Sequence, residues 1–440
     1  MSLLIVSACI VLLILLITWG RLNAFLAFLI VSVTGGLMLG IEPGRIGGVI
    51  QKGVGDMLGT LAIVVVAGSM LGKLVADTGA AQQIASGLMR AFGRKHLQLA
   101  FVVTGFVIGL PLFYNVAFIL VFPLIATVVY QYKLPALYVG LPMAAALSVT
   151  HGFLPPHPSP VALVAQFGAD TGKTLLLGTA IAIPTILIAG PLFSRSVTRL
   201  KPQLISTFRT EPIPDDQLPG IWNALFTALL PVILLASTTW IQQETSTDSA
   251  AAPWIAFFGD PAIVMLISLL VAVYTLGIAR GISMKRIMEI CGEAVRDVAM
   301  VVLIMGGAGG LKQILTDSGV SQDIAGLLDQ YAVNPLFLGW LMACLIRVSV
   351  GSATVAGLTA AGIVAPLLAI HPEISPELMV LAVGSGSLMF SHVNDAGFWL
   401  FKEYFNLSIR DTILSWSLME TIVACCGLAG VLLIQYMTNG

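Results

Sequence analysis

Charge is what this sequence has least of. Asp, Glu, Lys and Arg make up 10% of its 440 residues, against about 25% in soluble domains. With 58% hydrophobic residues and a mean hydropathy of +0.98, no soluble core hides that much apolar surface, which excludes a soluble globular chain. The charges present nearly cancel, to −1, so there is no basic field to hold a nucleic acid. Cysteine is scarce as well. Cys9, Cys291, Cys344, Cys425 and Cys426 lie in or beside apolar segments, without metal-ligand spacing, and read as small packing residues. The motifs of chemistry are missing too. No G-x-x-x-x-G-K-S/T loop holds ATP, no H-E-x-x-H pair holds zinc, and no G-x-S-x-G turn presents a nucleophile. An enzyme is not expected, nor a metal or other cofactor.

What is present is a succession of apolar runs, among them residues 3–19, 22–39, 58–75, 175–193, 221–240, 262–279, 298–315 and 412–436. At about 20 residues per crossing, the chain has room for about ten to twelve. The fold class is an all-α polytopic membrane protein. The first run lacks a basic leader and an A-x-A site and is followed closely by the second, so it reads as a retained helix. Other runs, such as 97–110, 336–346 and 378–389, are too short to cross alone. Short apolar pieces broken by Gly and Pro mark discontinuous or re-entrant helices.

The chain repeats itself. DTGAAQQIASGL at 77–88 aligns without gaps to DSGVSQDIAGLL at 317–328, with Asp, Gly, Gln, Ile, Ala and Leu in common. Asp56 and Asp297 precede similar runs, NVA at 115–117 falls opposite TVA at 354–356, and HPSP at 157–160 opposite HVND at 392–395. This divides the chain into an N-terminal membrane repeat, 1–193, a polar, proline-bearing linker, 194–220, and a C-terminal repeat, 221–440. Loops rich in Lys and Arg stay cytoplasmic. Arg195, Arg199, Lys201 and Arg209 put the linker inside; 242–260 has acids and no Lys or Arg, so it lies outside. On the same count Arg94 and Ser206 face the cytoplasm, and Ser246 and Gln330 the other side. Equivalent segments on opposite sides make an inverted-topology repeat, with its site where the halves meet.

The broken places carry the candidate chemistry. Residues 151–160 read HGFLPPHPSP, whose prolines stop a helix and free its carbonyls. At membrane depth such backbone is tolerated only inside protein or beside a watery cavity. Its repeat partner, SHVNDAGF at 391–398, is polar in the corresponding place. Arg347 stands alone in LMACLIRVSVGSATVAGLTAAG. Its planar fork suits a carboxylate, so it reads as a ligand for an anionic substrate; an ion pair with Asp395 or Glu420 is the structural alternative. Gly351, Ser352 and Thr354 follow, where a helix start can offer N–H groups to an anion. In GLPLFYNVAF, Asn115 either meets a hydroxyl-rich substrate or caps a helix. His157 and His392 bind hydroxyls, titrate, or satisfy broken backbone; as a repeated pair they favour function. Ser159, Asn394 and Asp395 complete the set, with Asp395 the buried acid. Asp77 and Asp317 read as helix caps, and Lys73 and Lys312 as side chains that snorkel.

HGFLPPHPSP, RVSVGSATVAGLTAAGIVAP, SHVNDAGFWLFKEYF, METI at 419–422, ICGEA at 290–294 and LTDSGV at 315–320 together closely resemble the gluconate permease family of bacterial inner-membrane symporters. The likeness runs over nearly the whole chain. It implies proton-coupled import of gluconate or a related sugar acid by a multi-pass inner-membrane protein. Some members of that family carry D-serine or other small hydroxylated carboxylates, and sodium is the alternative coupling ion. On this reading Arg347 holds the carboxylate. Asn115, Ser352, Thr354, Asn394 and the histidines read hydroxyls, and Asp395, His157 and His392 are the proton-coupling candidates. Lipid surrounds the chain, and a homo-oligomer is compatible with the reading. One departure stands out. The family usually has an acid in the first-half segment, where this chain has Asn115, which carries no proton.

Overall fold

The computed structural model describes residues 2–93, 96–200, 202, 213–245, 249–319, 334–368 and 371–439. Positions 94, 206, 246 and 330, and most of the repeat segment after Asp317, lie outside them. No strand occurs among the described residues.

Helices α1 (Ser2–Thr18) and α2 (Ala24–Met38) lead into the long α3 (Pro43–Asp77). Then come α4 (Ala80–Phe92), α5 (Leu97–Gly109), α6 (Tyr114–Tyr132), α7 (Ala136–Phe153), α8 (Pro158–Phe167) and α9 (Thr171–Leu187). A second succession of helices begins at Ile221. Helix α10 (Ile221–Glu244), the short α11 (Ala252–Gly259) and α12 (Pro261–Ala272) lead into the long α13 (Met284–Asp317). Next are α14 (Pro335–Val350), α15 (Ala353–Leu368), α16 (Pro376–Gly386), α17 (Ala396–Phe405) and α18 (Leu418–Asn439). Among the described residues, seven helical stretches are long and apolar enough to cross a membrane, and shorter apolar helices accompany them.

The expected run at 58–75 proves to be the second half of a 35-residue helix. Its first half is too polar to register as apolar, carrying Arg45, Lys52 and Asp56, yet it lays Ile46, Val49, Gly53 and Met57 into the core. Helix α13 packs along it. Gly53 meets Gly309 and Leu58 meets Gly306; further along, Ser69 Oγ donates to Ala294 O at 3.0 Å and Lys73 pairs with Glu293 at 3.5 Å. Numbers rise along one helix as they fall along the other, so the pair is antiparallel.

Two expectations change at the ends of these helices. Asp77 is the last residue of α3 and not a cap of α4; Asp317 is the last residue of α13, and the segment it was expected to cap lies outside the described residues. Gly79, with φ of 79°, takes the N-cap position of α4. Asp77 pairs with Lys73 at 3.7 Å, and Asp317 accepts from Gln313 Nε2 at 2.7 Å. A side chain one turn upstream reached each carboxylate first. Lys73 therefore sits in an ion-pair cluster. Lys312 points inward, its Nζ donating to Gln166 O at 2.6 Å at the end of α8.

Helix α7 is central. Sixteen of its residues are buried, which its small-residue run MAAALSV permits, because backbones then approach closely. Its counterpart α16 is buried from Leu378 to Gly386. The two helices stop at the two predicted breaks, inside the protein.

Candidate functional site

In each half, a helical hairpin turns back inside the protein and a broken helix holds its tip. The first hairpin is α5–α6, turning at residues 110–113. The carbonyls at the end of α5 have no helical partner. His157, just before α8, supplies one: its Nε2 lies 2.9 Å from both Gly109 O and Leu112 O and donates to them. The second hairpin is α14–α15, turning at Gly351 with φ of 82°. Here His392 Nε2 donates to Val348 O at 2.9 Å, and Asn394 Nδ2 to the same oxygen at 2.9 Å. The repeated histidines thus do the same work. Each ties the break of its half to the hairpin of its half.

A cavity of about 390 Å³ opens where the first hairpin, the second hairpin and the second break converge. Arg347, Gly351, Ser352 and Thr354 line it from the second hairpin, Asn394 and Asp395 from the break, and Asn115 from the start of α6. Phe113, not Asn115, is the N-cap of α6, so the capping role does not hold. Asn115 stands two residues further on, exposed and on the cavity lining. His157, Ser159 and His392 do not line it. Ser159 is buried in the first turn of α8, and its hydroxyl has no protein partner.

Arg347 is 3% exposed. Its Nη2 donates to Asp395 Oδ2 at 2.5 Å. Nε and Nη1 have no partner. Asp395 also accepts from Ser391 Oγ, and its Oδ1 caps α17 through Gly397 N at 3.0 Å. Trp416 Nε1 donates to Ser391 Oγ at 2.7 Å. The ion pair that the sequence offered as an alternative is therefore present, but it occupies one nitrogen of the fork. A guanidinium has five N–H donors in a fixed plane, matched to a carboxylate. The unoccupied side of Arg347 is what a small anion needs.

Four lining residues did not emerge from sequence. Tyr114 and Ser148 are buried on the cavity wall and His151 is half-buried there; Glu420 is buried too, and its Oε2 accepts from Ser148 Oγ at 2.8 Å. In the sequence Glu420 offers itself only as a partner for Arg347, and His151 falls within the break with no signal of a role. An aromatic layer closes the region around Tyr114. Tyr114 and Trp416 lie 5.4 Å apart, and Phe118 and Phe122 of α6 pack on Tyr404 and Phe405 of α17. A hairpin of the first half is thereby fixed to a helix of the second.

A family model described as GntP family permease matches residues 1–437. The high-affinity gluconate transporter of Escherichia coli K12 is 47% identical over 436 residues, covering 99% of both chains. The Gnt-II system L-idonate transporter of the same organism is 44% identical, again over 99% of both. The gluconate permease of Bacillus subtilis is 43% identical over 99% of both. Among solved structures, the YdaH transporter of Alcanivorax borkumensis superposes with a TM-score of 0.66 at 17% identity, over 93% of this chain and 96% of that one. Neisseria gonorrhoeae MtrF gives 0.66 at 14%, over 92% and 93%. At such identities the likeness is one of fold.

Proposed function

From a chain that belongs to the GntP family of permeases, and is thus a multi-pass membrane transporter and not an enzyme, we propose import of gluconate or a close sugar acid across a bacterial inner membrane, coupled to protons. The observation that carries the substrate class is the half-occupied fork of Arg347 at a cavity. The substrate carboxylate accepts from the guanidinium N–H groups that Asp395 leaves free. Asn115, Ser352, Thr354 and Asn394 stand around it for hydroxyls.

Coupling follows from Asp395. Once a substrate carboxylate shares the guanidinium, two anions face one cation. A proton on Asp395 relieves the repulsion, so proton and substrate favour each other's binding. His157 and His392 are the weaker candidates, because each spends its Nε2 on backbone carbonyls. The antiparallel packing of α3 and α13 supports an inverted repeat, with the two halves as the bodies that alternate access.

Calorimetry on purified protein tests the central claim. Arg347→Lys keeps a cation for Asp395 but loses the fork, and is expected to weaken gluconate binding at least tenfold, the equivalent of about 1.4 kcal/mol. Unchanged affinity would remove Arg347 from the site.

A further inference from the structure

The cavity has a second polar wall that carboxylate binding leaves unused. Glu420 stands on α18, 1% exposed. Its Oε2 accepts from Ser148 Oγ at 2.8 Å, while Oε1 has no partner. Among the described residues its carboxyl makes no ion pair. Near Ser148 on α7, the ring Nδ1 of His151 is buried and also unpartnered. All three side chains line the cavity that Arg347 lines. Buried polar atoms without partners are rare, because each forfeits the hydrogen bonds it had in water. Two of them on one wall of a cavity point to a ligand that completes them. Its chemistry is opposite to that of the arginine. Arg347 only donates, whereas a carboxylate oxygen accepts. A second carboxylate on the ligand does not fit beside it; a hydroxyl does.

We propose that Glu420, oriented by Ser148 and flanked by His151, is the specificity-determining acceptor for the hydroxyl groups of the acid that Arg347 holds. The same oxygen excludes acids with a second carboxylate at that end. This rests on the sugar-acid reading above. A site built to hydrogen-bond hydroxyls rejects an analogue that lacks them, because its own polar groups are then left unpaired.

The test compares three six-carbon acids by calorimetry on the purified protein: gluconate, hexanoate without hydroxyls, and glucarate with a carboxylate at each end. The wild type is expected to bind gluconate at least about a hundredfold more tightly than the other two. Glu420→Gln keeps the size of the side chain and exchanges an acceptor for a donor. It is expected to weaken gluconate at least about tenfold and to narrow both preferences. Ser148→Ala, which frees the Glu420 carboxyl to turn, is expected to act in the same direction and more weakly. Unfolding temperatures of all variants are followed alongside. An equal loss for all three ligands would make Glu420 structural and overturn the proposal. So would unchanged preferences, or unchanged affinities with lost pH-driven accumulation, which would make Glu420 a proton carrier. A wild type that binds no gluconate sinks the sugar-acid reading itself; the other outcomes sink this proposal alone.

Discussion

Asp395 is asked to do three things: hold Arg347, cap α17 and accept a proton. Asn at this position still caps and still accepts from the guanidinium, but it carries no titratable proton. Asp395→Asn is therefore expected to keep gluconate counterflow in proteoliposomes and to lose accumulation driven by a pH gradient. Full gradient-driven accumulation in that variant would move the proton elsewhere. At this scale the sequence was legible where one residue was out of place. Arg347 in an uncharged stretch and the polar cluster after His392 announced themselves against apolar neighbours. Glu420, Ser148 and His151 did not. Ser148 and His151 share α7 while Glu420 stands on α18, and only packing brings the three side chains to one wall. Of the readings open for His157, the one met in the structure is the satisfaction of broken backbone. Beside broken backbone, a ring N–H meets freed carbonyls before it meets a ligand.

Each break is an element in its own right, a helix stop and the side chains that satisfy it. The prolines showed where helices stop, but not which carbonyls would be left or who would take them. The two histidine ties differ in redundancy. His157 alone serves Gly109 O and Leu112 O, whereas Val348 O keeps Asn394 when His392 is lost. Stranding buried carbonyls costs about 1–3 kcal/mol each. His157→Ala is expected to lower the unfolding temperature in detergent clearly more than His392→Ala; equal or reversed effects would remove the histidine tie as a stabilising element. Gly351 is the other fixed point. A Cβ there would lie 2.2 Å from Asn394 O, at a φ that side chains avoid. Gly351→Ala is expected to destabilise by about 2 kcal/mol or more, read in the same melts, and to disturb Asn394 with it.

At the scale of the molecule, the sequence suggests a repeat because twelve aligned residues, one earlier match and two later ones keep a separation near 240. It does not suggest the length of the paired central helices, since their polar first turns hide in a hydropathy window. If the halves are inverted, Arg90, at the end of α4, faces the cytoplasm, and Asn334, at the start of α14, faces the opposite side. Single cysteines at these positions, in a cysteine-free background, are expected to react with an impermeant reagent from opposite sides. Reaction from one side refutes the inversion. The crossing of α3 and α13 carries a consequence for descent. A Cβ at Gly53 would stand 2.3 Å from Gly309 O, and one at Gly309 would stand 2.5 Å from Gly53 O. The obstacle on each side is backbone, so no compensating exchange on the other helix makes room. In any lineage that keeps this crossing, both positions stay glycine however far the substrate changes. Invariance there records a collision avoided, and it will stand out in an alignment as sharply as Arg347 while marking no part of the binding site.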